Sequence, residues 1–211
     1  MSGGVTARLD AFTDAAFAFA VTLLVIGGAG APSDFNGLLS ALREIPAFAF
    51  GFAVVVMFWF AHVRWRNLRG EGDLRSLLLT LLLVFLVLIY IQPLRAMAAA
   101  TAIFATGQGG GFRGSIAGLF AVYGSGFVAM SLTTAALFHD ALRNRELGRH
   151  GEAQARGDRT VWLILAATGT LSILISLTRF GVFAAMIYMT LPLTIGLYSR
   201  RHDWTGEKGA A

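Results

Sequence analysis

Residues 76–91 read SLLLTLLLVFLVLIYI, and this run decides the class of the protein. It contains no charged side chain, and its length approaches the roughly 20 apolar residues that a helix needs to cross a bilayer. The rest of the chain has the same character. Of its 211 residues, 56% are hydrophobic and 14% are charged, and the mean hydropathy is +0.67. Because soluble domains carry about 25% charged residues, we expect an all-α membrane protein.

Five further apolar stretches have a comparable length. The six predicted membrane spans cover about 9–27, 46–62, 76–91, 115–138, 160–177 and 180–198, and the third is expected to end at Gln92-Pro93. An amphipathic segment from Asn36 to Glu44 leads into the second span. We therefore expect residues 1–211 to form a single six-helix transmembrane domain.

Basic residues alternate between the segments that separate these spans. Thirteen of the 17 lysines and arginines fall in segments that would share one side of the membrane with both termini. The positive-inside rule places that side in the cytoplasm. The net charge of +5 is then explained by topology, so nucleic acid is not expected as a partner. The prediction is a multi-pass protein of the cell membrane, in contact with the lipid bilayer and with both termini cytoplasmic.

The first span begins with charged residues, which are costly inside a membrane and therefore mark places of interest. Arg8 is too far from Asp14 for the usual helical ion pair, so Asp14 needs a partner on a neighbouring helix. Candidate partners in the second span are Trp59, His62 and Arg64. For Arg8 and Asp10, a place among lipid headgroups is an open alternative. Acidic residues here also argue against a cleaved signal peptide.

One face of the first helix is apolar. Phe19, Leu23 and Ile26 are spaced i, i+4 and i+7, and Thr22 lies beside them. Such a stripe is compatible with a hydrophobic constriction that gates by dewetting. The spacing alone favours the more common alternative, which is packing against lipid or against the protein core.

The opening segment resembles the signature of the transmembrane protein 175 family, which comprises lysosomal potassium channels and their short bacterial relatives. That signature is Arg, three residues, then Phe-Ser-Asp at the start of the first helix. Here it reads Arg8-x-x-x-Phe12-Thr13-Asp14, with Thr in place of Ser. The run from Ala20 to Val25 also matches the family, and Trp59-x-x-His62 is similar to its Trp-x-x-His segment in the second helix.

The resemblance implies a homotetramer of six-helix subunits, in which the first helix of each subunit lines a central pore. The residues implied at the pore are Phe19, Leu23 and Ile26 as the constriction and Thr22 as a hydroxyl layer. Phe19 differs from the aliphatic residue usual at its position. The residues implied to hold the pore helix in a structural network are Arg8, Phe12, Thr13, Asp14, Trp59 and His62.

The predicted function is a potassium-favouring cation channel that needs no cofactor, with potassium and other monovalent cations as permeant ions. The alternative is a secondary or proton-coupled transporter that uses Asp14 as its titrating group. Such coupling groups usually lie near the bilayer midplane, whereas Asp14 is nearer a helix end. An enzyme is not expected, because the chain shows no constellation of nucleophile, base and metal ligands.

Three further expectations concern residues outside the motif. The histidines His62, His139, His150 and His202 lack ligand spacing, so no metal site is expected. Gly114 and Gly118 form a small-xxx-small pair, which suggests close helix packing. The charged stretch from Asp140 to Arg159 is interpreted as a solvated connector.

Overall fold

A computed structural model describes residues 3–26, 33–106 and 115–178. In this part of the chain the elements are, in order, α1 (Gly3–Ile26), α2 (Phe35–Arg43), α3 (Ile45–Arg69), α4 (Leu74–Thr106), α5 (Ile116–Ala141) and α6 (Arg149–Ser176). By length and composition, the helices apolar enough to cross a membrane are α3, α4 as far as Ala100, α5 and α6. The chain is therefore an all-helical, multi-pass membrane protein over the described residues.

These helices do not coincide one to one with the predicted spans. α2 is a short helix that covers the amphipathic lead-in to the second span. The predicted span 180–198 lies outside the described residues. Among the described residues, the protein is built from the α5–α6 hairpin, with α4 packed on α5 and α1 packed on both α3 and α4.

Aromatic side chains join α3, α5 and α6 in the core. Phe58 of α3 is fully buried. Its ring lies 4.9 Å from Trp162 of α6, centroid to centroid, and meets Phe127 of α5 edge-on at 5.9 Å. Edge-on and tilted contacts of this kind are the favoured geometries of aromatic pairs. They fix the position of α3, on which α1 rests.

The helix of the third predicted span does not end at Gln92-Pro93. α4 continues through Pro93 to Thr106, with Pro93 inside the helix. Proline removes one backbone hydrogen bond, but membrane helices tolerate this where neighbouring helices support them. Leu94, Met97 and Ala98 are buried directly after Pro93, so packing keeps the helix continuous.

The stretch from Asp140 to Arg159 is also not a solvated connector as a whole. α5 includes Asp140, α6 already begins at Arg149, and only residues 142–148 connect them. Asp140 and Asp158 are both buried. These two carboxylates pair with Arg69 and Arg64 of α3.

Two glycines of α5 permit close helix contacts, at positions other than the predicted pair. A Cβ atom on Gly126 would lie 2.5 Å from Cδ2 of Tyr90, and one on Gly124 would lie 2.6 Å from Cγ1 of Ile173. Gly118 is exposed, and a Cβ there would meet only Ser115 of the same helix end. Gly118 therefore makes no close contact with another helix among the described residues, and Gly114 lies outside them.

Gly126→Ala is expected to lower the free energy of unfolding by about 1–3 kcal/mol, the usual cost of overpacking a core. The added methyl group would overlap the buried ring of Tyr90, whose tilted contact with the Tyr123 ring, 5.4 Å between centroids, limits its movement. Unfolding with SDS in mixed micelles measures the effect. Gly118→Ala is the matched control, because its new Cβ has only an ordinary contact of 3.5 Å. Equal stability of both variants would contradict the close α4–α5 contact.

Candidate pore-lining helix and its polar supports

Asp14 of α1 has a partner on α3. The indole Nε1 of Trp59 donates a hydrogen bond of 2.8 Å to Oδ1 of Asp14. Trp59 was one of three candidate partners in the sequence, and the structure selects it over His62 and Arg64. Because hydrogen bonds to an ionised group are stronger than neutral ones, this contact holds one side of α1 against α3.

Asp10, one turn earlier on α1, also has a partner on α3. Arg66 Nε lies 2.9 Å from Asp10 Oδ1, and the Arg66 side chain is only 13% exposed. Its guanidinium also lies 5.8 Å from the centre of the Trp65 ring. The sequence named no protein partner for Asp10, and the structure shows that Arg66 is one. Arg66 was not singled out, because in the sequence it is one of several similar arginines.

The hydrogen bonds described for Thr13 and His62 go to other groups. Thr13 is fully buried, and its hydroxyl donates to the carbonyl of Leu9 in the same helix at 2.8 Å. His62 is buried as well, but its Nε2 lies 3.3 Å from Thr80 Oγ1 on α4. Arg8 and Phe12 are exposed. The structure thus shows separate contacts from α3 to α1 and from α3 to α4.

α1 has one buried stripe and one exposed stripe. The buried residues are Thr13, Phe17, Ala20 and Leu24, at helical spacing. At about 3.6 residues per turn, Thr22 lies on the opposite side of the helix. Thr22 is exposed, and Phe19 beside it is 56% exposed.

The other two predicted pore residues differ from these. Leu23 is partly buried and packs against the core at the edge of the exposed stripe. The side chain of Ile26 lies outside the described part of the structure. Of the predicted set, Phe19 and Thr22 therefore face outward from this subunit.

The Thr22 hydroxyl has a defined orientation. It donates to the carbonyl of Ala18 in the same helix at 3.0 Å. With its hydrogen used inside the helix, the oxygen presents its lone pairs outward. Oxygen lone pairs are the groups that alkali cations use as ligands. The exposed stripe of α1 thus offers an acceptor oxygen on an otherwise apolar surface.

An open groove of about 320 Å³ runs between α1 and α3. Phe17, Ala18 and Val21 line it from α1 together with Val55 and Val56 from α3, and Asp14 and Trp59 also contribute to its wall. Farther along the same helix pair, a Cβ on Gly51 would lie 2.8 Å from Leu24 Cδ2, so the two helices approach closely there.

A second polar cluster, which the sequence did not predict, joins α3, α4 and α5. We call Arg69, Asp73, Ser76 and Asp140 the Asp140 cluster. Arg69 Nε donates to Asp140 Oδ2 at 2.9 Å, and Ser76 Oγ donates to the same oxygen at 2.6 Å. Asp140 is 0% exposed. A buried carboxylate requires partners of this kind.

The turn between α3 and α4 completes the Asp140 cluster. The backbone N–H of Ser76 donates to Asp73 Oδ1 at 3.0 Å and holds the pKa of that carboxyl below its usual value. Next to the cluster, Asn144 Nδ2 donates to the carbonyl of Leu68 at 3.0 Å. On the other side of α3, Arg64 pairs with Asp158 of α6 at 2.8 Å. The end of α3 is thus attached to α4, α5 and α6 by polar contacts.

Trp59→Phe is expected to lower the free energy of unfolding by about 1–2 kcal/mol, because the ring remains while the donor to Asp14 is lost. Unfolding with SDS in mixed micelles measures this loss of stability. In a protein that already carries Asp14→Ala, Trp59→Phe should lower the free energy of unfolding by less, because the acceptor is already absent. An identical cost in both backgrounds would show that the hydrogen bond contributes nothing.

Within residues 3–26, 33–106 and 115–178, His, Asp and Glu side chains form no group of three that could hold a metal ion. The ionisable residues near α1 instead pair with other protein groups. Asp10 and Asp14 therefore serve to hold α1 against α3.

Comparisons with known proteins give a consistent result. Residues 8–93 match the model of the family described as the endosomal/lysosomal potassium channel TMEM175. A curated protein of Marivirga tractuosa, named as a potassium channel, is 34% identical over 91 residues, which are 43% of this chain and 36% of that protein. The matched part of this chain thus spans only about a third of that relative's length.

Two solved structures share the fold. A variant of the potassium channel MtTMEM175 matches with a TM-score of 0.81 at 22% identity, over 92% of this chain and 91% of that one. A TMEM175 homologue from Chamaesiphon minutus, described as a lysosomal potassium-selective channel, matches with a TM-score of 0.55 at 24% identity, over 89% and 98% of the two chains. The resemblance to the TMEM175 family, which is described as a potassium channel, is therefore confirmed by sequence over residues 8–93, and the fold of these two channels is shared over most of the chain.

Proposed function

We propose that the protein is a potassium-favouring cation channel in which α1 from each of four copies lines a central pore. The observation that carries the proposal is the exposed stripe of α1, with Phe19 and Thr22 opposite the buried stripe. A helix that lines a pore must bury one side in its own subunit and leave the other free. The names of the MtTMEM175 and Marivirga relatives as potassium channels support the same conclusion.

In this proposal the pore narrows at Phe19, Leu23 and Ile26, and Thr22 supplies the polar oxygen. Thr22 is neutral, so permeation would not depend on a ring of fixed charge at the neck. Selectivity would arise from the diameter of the neck and from the cost of removing water from the ion. Leu23 would contribute from the edge of the stripe, since part of its side chain packs on the core.

The polar contacts of α1 support this function by fixing the helix. Asp10 pairs with Arg66, and Asp14 accepts from Trp59, both on α3. Side chains that determine a permeation path need rigid placement, which supporting hydrogen bonds provide. A copy of α1 held in this way would present the same residues to the pore in each subunit.

We also propose that the protein lies in the cell membrane with both termini in the cytoplasm. Arg64, Arg66 and Arg69 lie together at the end of α3, and Arg143 lies near Asp140 at the end of α5. Cytoplasmic ends of membrane helices carry an excess of arginine and lysine. The α1 segment with Asp10 contacts this same end of α3.

The transporter alternative requires Asp14 to bind and release a coupled ion. Asp14 accepts a hydrogen bond from Trp59, and α1 is one continuous helix from Gly3 to Ile26. Coupling sites are usually built at broken helices near the midplane. These observations favour the channel.

Reconstitution into planar bilayers under a potassium gradient tests the proposal. Unitary currents that reverse near the potassium equilibrium potential are the expected result. Flux that depends strictly on a proton gradient, without unitary currents, would refute the channel and favour the transporter. Chemical cross-linking in the same membranes should give a tetramer as its largest product, and a monomer that conducts would refute the shared pore.

A further inference from the structure

α2 presents an apolar face that no part of the described chain covers. None of its residues is buried. The exposed apolar residues are Phe35 (71%), Leu38 (45%), Leu39 (39%) and Leu42 (50%). They are spaced i, i+3, i+4 and i+7, which places all four on one side of a helix. Exposing this much apolar surface of a short helix to water would be unfavourable.

α2 is a defined helix and not a frayed extension of α3. The side chain of Asp34 accepts from the backbone N–H of Gly37 and caps its start. Glu44 separates it from α3, which has a proline in its first turn. The side opposite the apolar face carries Asn36 and Ser40. The helix is therefore amphipathic, with a clear division between its two sides.

The position of α2 follows from its connection to α3. α3 has 25 residues, which is about 37 Å of helix at 1.5 Å per residue. This exceeds the roughly 30 Å hydrocarbon core of a bilayer. Because arginines mark one end of α3 as lying at one membrane surface, its other end, at Ile45, emerges at the opposite surface. α2 ends at Arg43, just before Ile45, and therefore lies at the level of the headgroups on that surface.

We propose that α2 lies in the interface of that leaflet, with Phe35, Leu38, Leu39 and Leu42 inserted at the boundary between headgroups and acyl chains. Amphipathic helices bind membranes in this manner. Ile45 and Phe52 of α3, the helix that follows α2, are exposed apolar residues as well. Four side chains are far fewer than the 20–30 residues, or roughly 800 Å² per partner, of a standard protein interface. Lipid is therefore a better-matched occupant than a second copy of the chain.

The chain contains no cysteine, so single labelling sites can be introduced directly. Leu38→Cys and Leu42→Cys place a nitroxide label on the apolar face. Asn36→Cys and Ser40→Cys are matched controls on the other face of the same helix. The full chain is reconstituted in phosphatidylcholine vesicles, and power saturation measures label accessibility to oxygen, which concentrates in lipid, and to a water-soluble nickel complex.

Both labels on the apolar face should show an oxygen-to-nickel accessibility ratio severalfold above that of both control labels. High nickel accessibility at all four sites would place α2 in water and overturn the proposal. Low accessibility to both reagents at positions 38 and 42, with dipolar broadening between labels, would assign the face to a second copy and also overturn it. The readout involves no ion current, so its failure is distinct from failure of the channel proposal.

Discussion

Replacing Asp140 with Ala is expected to lower the free energy of unfolding by about 3–5 kcal/mol, the usual cost of breaking a buried ion pair. Asp140 is 0% exposed, and the Arg69 side chain that donates to it at 2.9 Å is 11% exposed. Its removal takes away the closest carboxylate of the buried Arg69 guanidinium, which keeps Asp73 at 3.6 Å and the carbonyl of Glu71 at 2.9 Å. Ser76, whose hydroxyl donates to the same oxygen at 2.6 Å, keeps only the longer contact of 3.3 Å with Asp73 Oδ1.

SDS unfolding in mixed micelles measures this loss, and two variants serve as controls. Arg143→Gln removes an exposed charge that lies 3.7 Å from the other oxygen of Asp140. It should cost less than about 1 kcal/mol, as exposed pairs usually do. Combining Asp140→Ala with Arg69→Ala should cost less than the sum of the two single changes. An Asp140→Ala variant as stable as the parent would show that this pair does not hold α5 to α3.

Thr22→Val is expected to reduce the permeability of potassium relative to sodium severalfold. Valine keeps the size and branching of threonine but removes the oxygen that Thr22 presents outward. Losing about 1 kcal/mol of preferential stabilisation at the neck would change a ratio roughly fivefold, since about 1.4 kcal/mol is tenfold. Reversal potentials under bi-ionic conditions measure the ratio. Protein yield should be unchanged, because Thr22 does not pack in the core.

Thr170→Val is the matched control for that experiment. Thr170 of α6 is also exposed, and its hydroxyl donates to the carbonyl of Ala166 at 2.9 Å in the same manner. The substitution makes the same chemical change on a helix that the proposal does not place at the pore. An equal change in both variants, or no change in Thr22→Val, would remove Thr22 from the permeation path.

The sequence predicted those features that depend on local pattern. Apolar runs without charge predicted membrane helices. The helical spacing of apolar and polar residues predicted the amphipathic segment at α2. The position of Asp14 within an apolar run indicated that it needs a partner on another helix, and Trp59 was named among the candidates. Each of these inferences depends on a few neighbouring residues and on the cost of burying polar groups.

Features that depend on how distant segments pack could not be predicted. Asp140 looked like the first residue of a solvated loop, because its partners Arg69 and Ser76 are far away in sequence. His62 looked like a partner of α1, but the rotation of α3 turns it towards Thr80 of α4. Pro93 is a usual sign of a helix end, and only the burial of the residues after it explains why α4 continues.

The attachment of α1 at two places has a consequence for how this helix tolerates change. Asp10 and Asp14 hold its first half to α3, and Leu24 fits against Gly51 near its other end. Two such attachments fix the rotation of α1 about its own axis, and neither uses a residue of the exposed stripe. Phe19 and Thr22 can therefore be replaced by other residues, in evolution or by design, without altering how α1 packs in its subunit.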